Sequence, residues 1–143
     1  MNLLTLSPLL APVMALVLWT YAMWGWMYVT RIPAIQRMGL KLDPTAPRGE
    51  QMASLPPSVR WKADNYNHLF EQPVLFYATA LTLALAGDAS DLSVGLAWAY
   101  VASRVVHSLW QALVNRIEIR FVLFALSSLI LLALAIRAAL WVF

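Results

Sequence analysis

The chain runs for thirty residues before its first charged side chain, Arg31. Inside that stretch, residues from about 9 to 29 form an apolar run long enough to cross a hydrocarbon core, which takes roughly 20 residues. A secretory leader needs a basic start, a short apolar centre and a small-residue cleavage site. Met1-Asn2-Leu3 carries no positive charge, and the run is too long and too aromatic, so it is expected to be an uncleaved span. Composition extends this to the whole chain. Of 143 residues, 62% are hydrophobic and 12% charged, against about 25% charged in soluble domains. A globule of this length has too little interior to hide that much apolar surface, and a disordered chain needs the opposite composition. A net charge of +3 is too weak a bias to imply nucleic acid. The absence of cysteine excludes disulfides, thiolate metal sites and a cysteine nucleophile.

Three further apolar runs follow, at about 69–87, 92–113 and 121–142. The expected fold is all-α: a single four-span membrane domain over residues 1–143. Between the first two spans, residues 31–68 change character, with six Lys/Arg, five prolines and two glycines. This is a loop with a helical end from about Ser58. Gly87-Asp88-Ala89-Ser90-Asp91 reads as a tight turn. Basic residues crowd the first loop and recur in the third, as Arg116 and Arg120, while the second loop has none. By the positive-inside rule the first and third loops face the cytoplasm and both termini face outward. Trp24, Trp26, Tyr28 and Trp110 at inner ends, with Trp141 and Phe143 at the outer end, agree with aromatic belts.

Ionisable groups within spans are costly and tend to face protein interior. Asp64, Asn67, His68 and Glu71 fall at helical spacings and share a face. Pro73, just beyond, is expected to kink the second span by removing its bond to the Leu69 carbonyl. Arg104, His107, Ser108, Gln111 and Asn115 make a second polar stripe, in the cytoplasmic half of the third span. The two stripes can face each other, with Glu71 and Arg104 as an expected ion pair, because an unpaired charge is the costlier alternative. The plain alternative is that these side chains are interhelical glue, and that His107 is a satisfied core histidine. Arg137, near the outer interface, is expected to snorkel. Two histidines on different helices do not make a ligand set, and no metal site is expected. Ala78, Ala80, Ala84 and Ala86 allow close helix approach and suggest a subunit interface along span two.

The segments Asn-Tyr-Asn-His-Leu-Phe-Glu-Gln-Pro-Val-Leu-Phe-Tyr (65–77) and Arg-Val-Val-His-Ser (104–108), followed by Asn115-Arg116 and Arg120-Phe121, resemble the MAPEG family, the membrane-associated proteins in eicosanoid and glutathione metabolism. The likeness is to its poorly characterised bacterial branch. It implies a four-helix bundle assembled as a homotrimer in a bacterial inner membrane, with span two near the centre. It also implies glutathione held between subunits near the cytoplasmic face. Carried over, Arg104 and Arg120 would be catalytic. Glu71, Arg104, His107, Gln111 and Arg120, with Asn67 and His68, would line the cleft.

The sequence departs from the better-known enzymes at three places. An arginine seven positions before Glu71 is here Asp64, an asparagine three before it is His68, and a tyrosine seven after Arg104 is Gln111. Two functions therefore stand side by side. One is a glutathione-dependent transferase or peroxidase acting on lipophilic electrophiles, in which nearby cations favour the reactive thiolate. The other is a non-catalytic membrane protein, either lipid-binding or an accessory subunit of a larger membrane assembly, that keeps the same polar core for packing.

Overall fold

A computed structural model describes residues 6–143; the reading of Met1-Asn2-Leu3 falls outside them. Among the described residues all regular structure is helical, in the order α1 (Leu10–Arg37), α2 (Glu50–Ala53), α3 (Pro57–His68), α4 (Gln72–Leu85), α5 (Asp91–Leu113) and α6 (Ile117–Val142).

Helix α1 continues well into the expected first loop. Its 28 residues make about 42 Å at 1.5 Å per residue, more than the roughly 30 Å of a hydrocarbon core. It stops at Gly39, which takes φ +60°, a left-handed conformation that costs glycine little. The Leu40 N–H then bonds back to the Ile35 carbonyl at 3.2 Å. The rest of the loop is tied down: Gln51 and Asp43 exchange bonds of 2.6 and 2.8 Å. Thr45 donates to the Asp43 carboxylate from both its backbone and its hydroxyl, which holds that carboxyl below its usual range.

The second apolar run is broken where a kink was expected. Helix α3 ends at His68, and Glu71 takes φ −87°, ψ −96°, outside the helical region. Pro73 lies in the first turn of α4, where its missing N–H would have had no partner in any case. The proline therefore starts a helix instead of bending one. The break changes partners. Helix α4 packs on α1 and α6, whereas α3 packs on α1 and α5. Helices α1, α4, α6 and α5 surround a core that includes Leu16, Phe76, Leu83, Tyr100 and Leu134, all fully buried. Phe76 stacks on Tyr100 with ring centres 4.6 Å apart.

Helix α5 meets α6 most extensively. The buried residues of α6 are Ser127, Leu131, Leu134 and Ala138, a single stripe at three-four spacing. The other faces expose Leu126, Leu129, Leu132, Ile136 and Leu140. A helix apolar all round with one buried stripe needs an apolar solvent. Helices α1 and α6 are each long and apolar enough to cross a membrane.

At the far end, Gly87 turns the chain at φ +84°, and Asp88 is buried beneath that turn. Asp88 accepts from the Ser90 N–H at 2.9 Å and from the Ser93 hydroxyl. Arg137 lies 3.5 Å from its carboxylate and donates to Ser93 at 2.8 Å and Ser90 at 2.9 Å. The expectation that Arg137 snorkels is thus replaced: its head ties α6 to the α4–α5 turn. The alanine stripe is also divided. Ala80 is fully buried in the chain's own core and Ala84 packs against it, while Ala78 and Ala86 are exposed.

Candidate functional site

A gap lies between the end of α3, α5 and the start of α6. It is a cleft of about 350 Å³ lined by His68, His107, Ile117, Arg120, Phe121 and Phe124. Three helices supply it. His68 closes the last turn of α3, His107 projects from the polar stripe of α5, and the others line the first two turns of α6. The two imidazole rings sit 5.1 Å apart, and Phe124 lies 5.5 Å from His68.

Arg120 is placed by the α5–α6 turn. Asn115 follows the end of α5 at φ +56°, a left-handed position that asparagine tolerates better than most residues. There its side-chain oxygen accepts from Arg120 Nη1 at 2.6 Å. Arg120 Nε is shut off from solvent with no partner among the described residues.

Behind the cleft wall lies a layer of buried polar groups. Arg104, His107, Ser108 and Gln111 are all buried, as the spacing on span three predicts. Arg104 has no exposed surface. Its one contact is a long one, Nη2 to the His68 carbonyl at 3.5 Å, and its Nε and Nη1 have no partner. His107 Nδ1, Ser108 Oγ and Gln111 Oε1 are equally unpartnered.

The expected Glu71–Arg104 ion pair does not form. Glu71 lies in the break between α3 and α4, 67% exposed, and pairs with His68 Nδ1 instead. The loss of helical geometry at Glu71 swings it off the face that the three-four spacing assigned to it. Asn67 and Asp64 are exposed too, and line a separate cavity with Arg31 and Arg60. Of the seven expected cleft residues, His68, His107 and Arg120 line the cleft, while Arg104 and Gln111 are buried outside its lining. Glu71 and Asn67 belong to the outside.

Three residues that matter here were missed from sequence. Asn65 is fully buried with both amide atoms unpartnered. It faces inward with Lys62, whose ammonium donates to the Ser58 carbonyl at 2.8 Å and the Ala112 carbonyl at 3.4 Å, 5.0 Å over the Trp26 ring. The inward face of α3 is thus Lys62, Asn65 and Leu69, also at three-four spacing, but mostly polar and so unrecognisable by hydrophobicity. Gln72, which begins α4, bridges helices: it accepts from the Tyr100 hydroxyl at 3.3 Å and donates to Ser128 at 2.6 Å.

The chemistry available is that of anion capture in an apolar surround. Arg120 stands on the cleft wall and Arg104 one layer behind it. Among the described residues neither has a carboxylate within ion-pairing distance.

No curated protein and no solved structure matches the chain. A family model does, over residues 9–140, which is nearly the whole sequence, and on that match the chain belongs to the MAPEG family, membrane proteins of eicosanoid and glutathione metabolism.

Proposed function

We infer that the chain crosses a bacterial inner membrane four times, with both termini outside and the first loop cytoplasmic. It works as a homotrimer that takes glutathione into the cleft beside His68, His107 and Arg120. The observation that carries this reading is Arg104. A guanidinium with no exposed surface and, among the described residues, no carboxylate within ion-pairing distance costs several kcal/mol. An anionic ligand in the adjacent cleft offsets that cost, because charges interact strongly where water is excluded. The residues suit glutathione: Arg120 on the wall for a carboxylate, the charge of Arg104 behind it, and the unpartnered Nδ1 of His107 for a further hydrogen bond.

Helices α1 and α6 supply two crossings, α5 a third, and α3 with α4 the fourth. Helix α4 alone, at 14 residues, reaches only about 21 Å. A subunit interface on the exposed face of α4 would close the cleft from the side. Glutathione supplies a thiol that adds to an electrophilic carbon or is oxidised by a peroxide. Arg120 and Arg104 favour the thiolate by their charge, His68 and His107 position it, and Phe121 and Phe124 admit an apolar co-substrate from the bilayer.

Gln111 favours a second reading. It is buried and lies outside the cleft lining, so no hydroxyl stands where the catalytic relatives are expected to place a tyrosine. The alternative is a non-catalytic trimer or accessory subunit that keeps the cleft for a lipid. Thermal unfolding with and without glutathione separates them, since a ligand that binds only the folded state must raise apparent stability, by about 2.7 kcal/mol at a hundred times Kd. A rise that disappears in Arg120→Leu is the expected result; no rise at saturating glutathione overturns the glutathione reading. Native mass spectrometry tests the trimer, and a dominant monomer refutes it.

A further inference from the structure

Glu71 lies outside the cleft, yet it touches a residue that lines it. The chain leaves helical geometry at Glu71, its N–H bonds back to the His68 carbonyl at 3.3 Å, and its carboxylate meets His68 Nδ1. An ionised carboxylate only accepts hydrogen bonds, so Nδ1 carries the proton and Nε2 keeps its lone pair. Among the described residues Nε2 has no hydrogen-bond partner, and unlike His107 Nδ1 it is not sealed from solvent. The ring is held by its neighbours. Phe124 and His107 pack on it with ring centres 5.5 and 5.1 Å away, and the His68 carbonyl meets Arg104 Nη2 at 3.5 Å. The charged and titratable groups around it are therefore Glu71 on its own turn, Arg104 and His107 on α5, and Arg120 across the cleft on α6.

A thiolate needs more than nearby cations, because the thiol proton must go somewhere. The arginines cannot take it, since a guanidinium is already fully protonated. His107 is the poorer acceptor of the two imidazoles: among the described residues it has no carboxylate within ion-pairing distance, and it shares a face of α5 with Arg104. We propose that His68 is the base that takes the thiol proton of glutathione, and that Glu71 is a positioning residue that fixes the tautomer and balances the imidazolium. This rests on the glutathione reading and adds to it a path for the proton. A base oriented by a third group is the general arrangement for activating a weak nucleophile. The S–H bond breaks, its electron pair stays on sulfur, and the proton moves to Nε2. In addition to an α,β-unsaturated carbonyl compound, the sulfur pair forms the new S–C bond. The double-bond pair then moves to the neighbouring carbon, which takes the proton back from Nε2. Nothing is lost to water and no further reactant is required, which suits a cleft walled by Phe121 and Phe124.

The test counts protons in the wild-type protein. Glutathione is titrated by calorimetry in two buffers of different ionisation enthalpy, at a pH between the ordinary values of imidazole and thiol, roughly 6.5 and 8.5. Ultraviolet difference absorbance reports the thiolate in parallel. The expected result is a thiolate band with almost no proton released, because Nε2 keeps it. A thiolate accompanied by a full proton released to the buffer at each site overturns the proposal, since the arginines then act without a base. Binding with no thiolate band overturns it too and leaves the glutathione reading standing, whereas absence of binding overturns both. In His68→Gln the pH midpoint of the thiolate band should rise toward the roughly 8.5 of a free thiol. Glu71→Gln, at an exposed position that carries little folding risk, should move it the same way by a smaller amount. An unmoved midpoint in His68→Gln refutes the base, and one in Glu71→Gln refutes the positioning role.

Discussion

Replacing Arg104 with methionine should leave the ligand-free protein as stable as the wild type or more so, and should abolish its response to glutathione. The side chain lies fully buried with two of its three nitrogens unpartnered. What the substitution removes is one contact at 3.5 Å, too long to contribute more than about 0.5 kcal/mol. Methionine keeps a similar volume and flexible shape, so the packing cost is also below about 0.5 kcal/mol. What it relieves is the burial of a charge without a partner; exchanging buried ionic groups for apolar ones of similar size is neutral or stabilising by about 1–4 kcal/mol. The net expectation is a gain of zero to about 3 kcal/mol. Denaturant unfolding in mild detergent, followed by the fluorescence of the seven tryptophans, measures it, and glutathione titration of both proteins measures the lost response. A loss of more than about 2 kcal/mol in the ligand-free variant would refute the reasoning, because it would mean that the guanidinium already has an anionic partner, from a neighbouring subunit.

Four further outcomes follow from the structure and its reading. Burial pushes the Asp88 carboxyl up, but hydrogen bonds from Ser93 and Ser90 and the charge of Arg137 outweigh it and hold the group below its ordinary value. A depressed value contributes stability that is fully present above the unfolded value of about 4 and lost as pH falls through the folded one, so acid unfolding below that range should flatten in Asp88→Asn. Arg137→Met leaves that carboxylate without its counter-charge and should cost about 1–3 kcal/mol at neutral pH, measured by thermal unfolding; an unchanged protein would show the latch to be idle. Glu71→Gln should shift stability by less than about 0.5 kcal/mol, as expected for an exposed side chain. Finally, cysteines placed at the exposed positions Lys41 and Ala89 should label from opposite sides of the membrane, and labelling from one side refutes the topology.

The largest features of this protein follow from local chemistry. Long charge-free runs in lipid satisfy their backbone as helices, and α1, α4, α5 and α6 cover the four apolar runs. The polar stripe of α5 was legible because a regular helix converts spacing into direction: Arg104, His107, Ser108 and Gln111 are all buried on one face. The same rule misplaced Glu71, because it assumes an unbroken helix, and the chain leaves helical geometry at that residue. Asn65 escaped notice since nothing local separates a polar residue facing a polar partner helix from one facing water. Which helix lies opposite is a tertiary fact. Helix α4 meets α6 and α3 meets α5, the break between them pairs Glu71 with His68 and not with Arg104, and the α5–α6 turn sets Arg120 on the cleft wall. Spacing along a chain fixes which side chains share a face, whereas the neighbour each face meets depends on how separate helices pack.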